Sequence, residues 1–164
     1  MKNAQNFKTL VDIFFALLFV GVVGVMISLP FAHVEINSNE IDPSSMTWIQ
    51  VISLVMALFA TILFIRGSFY FRQVARFLLE NRMFTNDMAI SLSKAGQQYV
   101  YAGLIYIVLM LFLGLTKMVQ GTVHIDLGAL LPPFFLCVVG LFFKLQSQVL
   151  LQAKALKEEN QLTI

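Results

Sequence analysis

Four long apolar stretches limit what this chain can fold into. They cover about residues 10–29, 48–65, 99–115 and 127–143, each close to the ~20 residues a helix needs to cross a hydrocarbon core of ~30 Å. Lipid offers no partner to backbone N–H and C=O groups, so a spanning segment must close its own hydrogen bonds as a helix or share them in a closed barrel. The runs are unbroken and lack the polar–apolar alternation of barrel strands, which predicts helices. The expected architecture is an all-α membrane protein: a single four-transmembrane-helix bundle over residues 1–164, with helical extensions on the cytoplasmic side. Composition agrees, since 59% of residues are hydrophobic and 12% charged, about half the charged fraction of a typical soluble domain. The first stretch follows Lys2 and Lys8, is longer than a signal-peptide h-region, and has no Ala-x-Ala site after it. It reads as a retained helix.

Orientation follows from the basic residues. Lys2 and Lys8 precede the first run, Arg66, Arg72, Arg76, Arg82 and Lys94 separate the second from the third, and Lys144, Lys154 and Lys157 follow the fourth. Only Lys117 falls on the other side, whereas residues 31–47 carry Glu35, Glu40 and Asp42 but no Lys or Arg. Cytoplasmic segments of membrane proteins are enriched in Lys and Arg, so both termini and the middle segment are expected in the cytoplasm.

The middle segment predicts more than a connector. Phe69, Arg72, Gln73, Arg76, Phe77 and Glu80 continue the helical spacing past the second span. A break is expected near residues 81–84, followed by a helix capped by Thr85 or Asn86 with Asp87 in its first turn. Residues 144–159 lack Gly and Pro and are rich in good helix formers, so the fourth helix should also project into the cytoplasm. Pro132 and Pro133 should kink that helix or mark its outer end. In the two outer segments, 33–37 and 122–126, polar and β-branched residues alternate, which points to a short extracellular β-ribbon.

Chemistry finds few candidates. His33 and His124 each sit two residues before a carboxylate, Glu35 and Asp126, and imidazole with carboxylate oxygen suits zinc or a similar ion. The competing reading is the wet face of the ribbon, because residues two apart in a strand share a side. Neither histidine lies inside a span, which disfavours a buried haem. The single Cys137 excludes dithiol chemistry within one chain and reads as a buried, inert side chain. No phosphate loop, dinucleotide fingerprint, nucleophile elbow or His-Glu-x-x-His motif occurs, so no enzymatic activity and no cofactor are expected. The net charge of +2 gives no support to direct nucleic-acid binding.

The spans are almost free of charge. Asp12, in the first turn of span one, can face headgroups and favour a helix N-terminus, while Arg66 and Lys144 can snorkel at the span ends. A transporter would need polar groups near the midplane. Ser53, Thr61 and the glycines suit packing between helices rather than a pore lining, and small-residue faces such as Gly21 and Gly24 permit helix contacts without specifying whether the neighbour is a further copy of the chain. The basic series from Arg66 to Arg82 could bind anionic lipid or an acidic partner.

Two segments carry a family resemblance. Glu80-Asn81-Arg82-Met83-Phe84-Thr85-Asn86, followed by Leu92 and Gly96, and the ending Leu156-Lys157-Glu158-Glu159-Asn160-Gln161-Leu162-Thr163-Ile164 resemble the bacterial membrane family named domain of unknown function 2975. The resemblance implies a four-span protein of the bacterial inner membrane and supplies no activity. Genes of that family often lie beside a small helix-turn-helix regulator, which implies a membrane partner for a transcription factor.

The reading these features favour is a non-enzymatic membrane protein that regulates or signals through a cytoplasmic partner. Arg76, Arg82, Phe84, Leu162 and Ile164 are the candidate contact residues. Leu162 and Ile164 are apolar at a chain end, so they are expected to dock, either in a groove of the bundle or on the partner. The alternatives are an oligomeric channel or small-molecule conduit, and an outer-face metal or ligand sensor built on His33, Glu35, His124 and Asp126.

Overall fold

The computed structural model describes residues 2–28, 48–80, 85–119 and 127–162. These form four helices, α1 (Lys2–Ser28), α2 (Trp48–Leu79), α3 (Asn86–Val119) and α4 (Leu127–Leu162). All four are long and apolar enough to cross a membrane. At ~1.5 Å per residue, α2, α3 and α4, of 32, 34 and 36 residues, measure about 48, 51 and 54 Å. A hydrocarbon core of ~30 Å leaves each with several turns to spare. Helical structure is expected to continue past the second and fourth apolar runs, and it does, to Leu79 in α2 and Leu162 in α4.

The helices pack in chain order, α1 on α2, α2 on α3 and α3 on α4. Little of their apolar surface is covered by one another: 6% of the apolar window of α1 is buried, and 22% of that of α3, the most enclosed. A surface that apolar requires lipid as its solvent, because water would charge ~25 cal/mol for each Å² of it. The chain is therefore a multi-pass membrane protein.

Small residues bring α3 and α4 together. A Cβ placed on Gly96 would lie 2.5 Å from the carbonyl oxygen of Gly140, and one on Gly140 would lie 2.6 Å from that of Gly96. One heptad outward, a Cβ on Gly103 would meet Cys137 Sγ at 2.5 Å and the Pro133 carbonyl at 2.8 Å. One heptad inward, the buried Ser147 hydroxyl donates to the Ala89 carbonyl at 2.7 Å. Positions 89, 96 and 103 of α3 thus meet 147, 140 and 133 of α4 in an antiparallel register of seven residues, the repeat that keeps two helices in contact along a shared seam. Close approach of backbones is what small residues permit in membranes, where the solvent supplies no hydrophobic drive.

Larger side chains fasten α2 to α3. Tyr99 lies against Gly67, where an added Cβ would fall 2.7 Å from its ring, and its hydroxyl meets Ser68 Oγ at 3.1 Å. Nearer the other end of the bundle, Thr61 Oγ1 and the Tyr106 hydroxyl lie 2.8 Å apart. Ser53 and Thr61 also donate to carbonyls one turn back, at Ile49 and Ala57, which satisfies each hydroxyl without water.

The boundary between α2 and α3 falls where the capping pattern placed it. The Met88 N–H donates to Thr85 Oγ1 at 3.4 Å and the Ala89 N–H to the Thr85 carbonyl at 3.3 Å, so Thr85 caps α3. Pro132 and Pro133 do not end α4. They occupy its second turn, and the helix continues through them to Leu162. The outer β-ribbon expected at 33–37 and 122–126 lies outside the described residues, and no strand occurs among those that are described.

Candidate functional site at the basic end of the bundle

The ends of α2 and α4 and the beginning of α3 converge on one end of the bundle. Val74, Met88 and Leu92 form its buried centre, with Phe77, Leu78, Phe143 and Leu150 packed around them. Every one of these follows from helical spacing: 74, 77 and 78 share one side of α2, 88 and 92 one side of α3, and 143 and 150 one side of α4. Phe71 of α2 stacks on Phe143 of α4 with centroids 4.9 Å apart and planes 10° from parallel, which ties the first and last of the three helices together.

Polar contacts fix the relative rotation of the helices. Ser91 donates to Gln73 Oε1 at 3.5 Å. Lys154 donates to Asn86 Oδ1 at 3.0 Å and pairs with Glu158 at 3.3 Å. With the Ser147–Ala89 bond these join α3 to both neighbours beyond the glycine contacts. The result is a three-helix unit with its own small core, continuous with the membrane bundle.

α1 is attached to this unit through α2. Arg72 Nε donates directly to Asp12 Oδ1, the Arg72 guanidinium lies 5.4 Å from the Phe15 ring centroid, and Phe7 meets Phe71 edge-on at 6.1 Å. This corrects the expectation for Asp12. Because α1 begins at Lys2, Asp12 sits in its third turn and pairs with an arginine 60 residues away. Arg72 thus pairs within the bundle while remaining about a third exposed, and Arg66, Arg76, Lys94 and Lys144 are exposed at the same end. Lys94 also lies 5.8 Å from the Tyr70 ring centroid, a cation–π arrangement.

Of the expected contact residues, Arg76 stands exposed in the last turn of α2, where its carbonyl accepts the Glu80 N–H at 3.1 Å. Leu162 closes α4. Arg82, Phe84 and Ile164 lie outside the described residues, as do His33, Glu35, His124 and Asp126. Among the described residues no group of three or more His, Cys, Asp or Glu gathers in a way that could hold a metal. Cys137 is half-buried, with Sγ 3.7 Å from the Val100 carbonyl. Sequence reasoning missed Ser147, Lys154 and Asn86 as contacts. Ser147 and Lys154 are seven apart, in phase with Gly140, and that spacing was the available signal.

A bundle of this kind, with four membrane-length helices and a packed helical unit at its basic end, defines a multi-pass α-helical membrane protein. The family model described as Protein of unknown function (DUF2975) matches residues 36–164, and the chain belongs to that family. No curated protein and no solved structure matches the chain.

Proposed function

We propose that the protein is a non-enzymatic regulatory or signalling membrane protein that binds a cytoplasmic partner, such as a helix-turn-helix regulator, through the α2–α3 hairpin and the end of α4. The observation that carries this reading is the three-helix unit around Val74, Met88 and Leu92. Helices serving only to span a bilayer have no need of three joint extensions with a core of their own. The assignment of that end to the cytoplasm rests on the basic residues gathered there.

The protein's route to a partner is a preformed helical surface with exposed cations, Arg76 among them, and an α4 end that reaches beyond it. Preformed surfaces bind without a large ordering cost. Recovery of associated proteins from solubilised membranes, using the full chain and a form truncated after Leu156, tests the proposal. The full chain is expected to retain a partner that the truncated form loses; identical recovery removes the α4 end from the account.

A further inference from the structure

One side of the α2–α3 pair gathers polar side chains along the groove between the two helices. Three contacts fix which residues share it: Ser91 with Gln73, Lys94 with the Tyr70 ring at 5.8 Å, and Gln98 beside Gly67, where an added Cβ would fall 3.3 Å from the Gln98 Cβ. Arg66 lies four residues before Tyr70 and seven before Gln73, so helical spacing puts it on the same side of α2. Tyr101, seven residues after Lys94, shares that residue's side of α3. Its ring is exposed and its hydroxyl accepts from Gln97 Nε2 at 2.9 Å. Two cations from different helices therefore border one groove, with the Tyr70 ring against the second and one turn from the first.

Depth decides what such a groove meets. Arg66 is the first residue after the apolar run 48–65, and the adjacent Gly67 packs on Tyr99, the first residue of the run 99–115. Lys94 precedes that run by five residues, about 7.5 Å along the helix. Both cations thus sit at the edge of the hydrocarbon, where phospholipid headgroups lie and where long basic side chains reach for them. Toward the membrane centre the same two sides turn apolar. Phe59 is seven residues before Arg66, Val108 is seven after Tyr101, and both are exposed. A charged opening above an apolar bed matches the two parts of a phospholipid.

The pairing of charges separates these two residues from the others at this end. Arg72 has Asp12 and Lys154 has Glu158, whereas Arg66 and Lys94 are exposed and have no ion-pair partner among the described residues. Arg76 is ten residues beyond Arg66, about 15 Å farther along α2, and Lys144 borders the α3–α4 seam, its Cγ 3.1 Å from a Cβ placed on Gly96. The general preference for cations on the cytoplasmic side accounts for the sign of Arg66 and Lys94. It does not account for their convergence from two helices around Tyr70.

We propose that this groove binds the phosphate of an anionic phospholipid, with Arg66 and Lys94 meeting its oxygens from the two helices and Tyr70 holding the Lys94 ammonium in place. Guanidinium and ammonium both donate charge-assisted hydrogen bonds to phosphate oxygens. A zwitterionic lipid carries its own cation beside the phosphate and gains less from a site with two positive charges.

Lipid retention tests this. The full chain is reconstituted in vesicles of equal parts phosphatidylglycerol and phosphatidylcholine with the same acyl chains, extracted in mild detergent, and weighed intact by mass spectrometry. It is expected to retain phosphatidylglycerol at least about fivefold over phosphatidylcholine. The double variant Arg66→Gln/Lys94→Gln should retain the two about equally, while the charge-matched Lys8→Gln/Lys144→Gln should keep the preference. Equal retention by the unsubstituted chain overturns the proposal, as does an unchanged preference in the first variant or an equal loss in the second. Inorganic phosphate in excess during extraction is expected to leave the bound lipid in place; displacement overturns lipid as the ligand in favour of a free anion. The lipid comparison and the phosphate arm need no substitution, so they decide the outcome even where a variant does not fold.

Discussion

Gly96 of α3 lies directly against Gly140 of α4, each positioned so that a Cβ on one would come within 2.5 or 2.6 Å of the other's carbonyl oxygen. The neighbours at fault are backbone atoms, which cannot move aside as a side-chain tip can. Gly96→Ala and Gly140→Ala are therefore expected to destabilise the bundle by roughly 1–3 kcal/mol each. Gly24→Ala, at a glycine with nothing within 4 Å, is expected to be neutral. Thermal unfolding in detergent distinguishes them, and equal midpoints for all three would remove the close contact from the account.

The pair formed by Thr61 and Tyr106 in the membrane is expected to be worth little. Hydrogen bonds between helices in bilayers average about 0.6 kcal/mol in double-mutant cycles, because the separated helices find other partners. A cycle built from Thr61→Val and Tyr106→Phe should return a coupling of about that size. A coupling several times larger would indicate that Tyr106 has a role beyond packing.

Arg72 anchors α1 through Asp12 and Phe15. Both side chains of the ion pair are about a third exposed, 37% and 31%, so solvent screens them and the pair should contribute no more than about 1 kcal/mol. Its expected effect is local. In Arg72→Gln, α1 should become more accessible to protease or hydrogen exchange while α3 and α4 keep their protection. Loss of protection throughout would show that α1 is integral to the bundle.

Gln98 buries its side-chain carbonyl oxygen without a hydrogen-bond partner among the described residues. Removing an unsatisfied buried acceptor is neutral or favourable when shape is kept. Gln98→Leu is expected to leave the unfolding midpoint unchanged or raise it. A clear drop would place an ordered water or another polar group at that oxygen.

How far the sequence carried the fold depended on the range of the interaction. The four spans were legible because an 18–20-residue apolar run has one stable form in lipid, and the α3 start because Thr85 acts on N–H groups three and four residues away. The facing of Gly96 and Gly140 was not, since a glycine in an apolar run looks the same whichever side it faces. Asp12 was misread for the same reason: its partner lies 60 residues on, and local rules offered it a helix terminus instead. At the basic end the helical spacing of Phe77 and Arg76 was visible, but which side each helix would turn to the others was decided by contacts such as Ser147 with Ala89.

The central claim is that α2, α3 and α4 leave the bilayer together on its cytoplasmic side. Labelling with a membrane-impermeant thiol reagent tests it most directly, using single cysteines at Arg82, Asn160 and Glu40 in vesicles of known orientation, with Cys137 replaced by alanine. The account predicts that positions 82 and 160 react only from the cytoplasmic face and position 40 only from the opposite one. Reaction of 82 and 160 from opposite faces, or of all three from the same face, would contradict it.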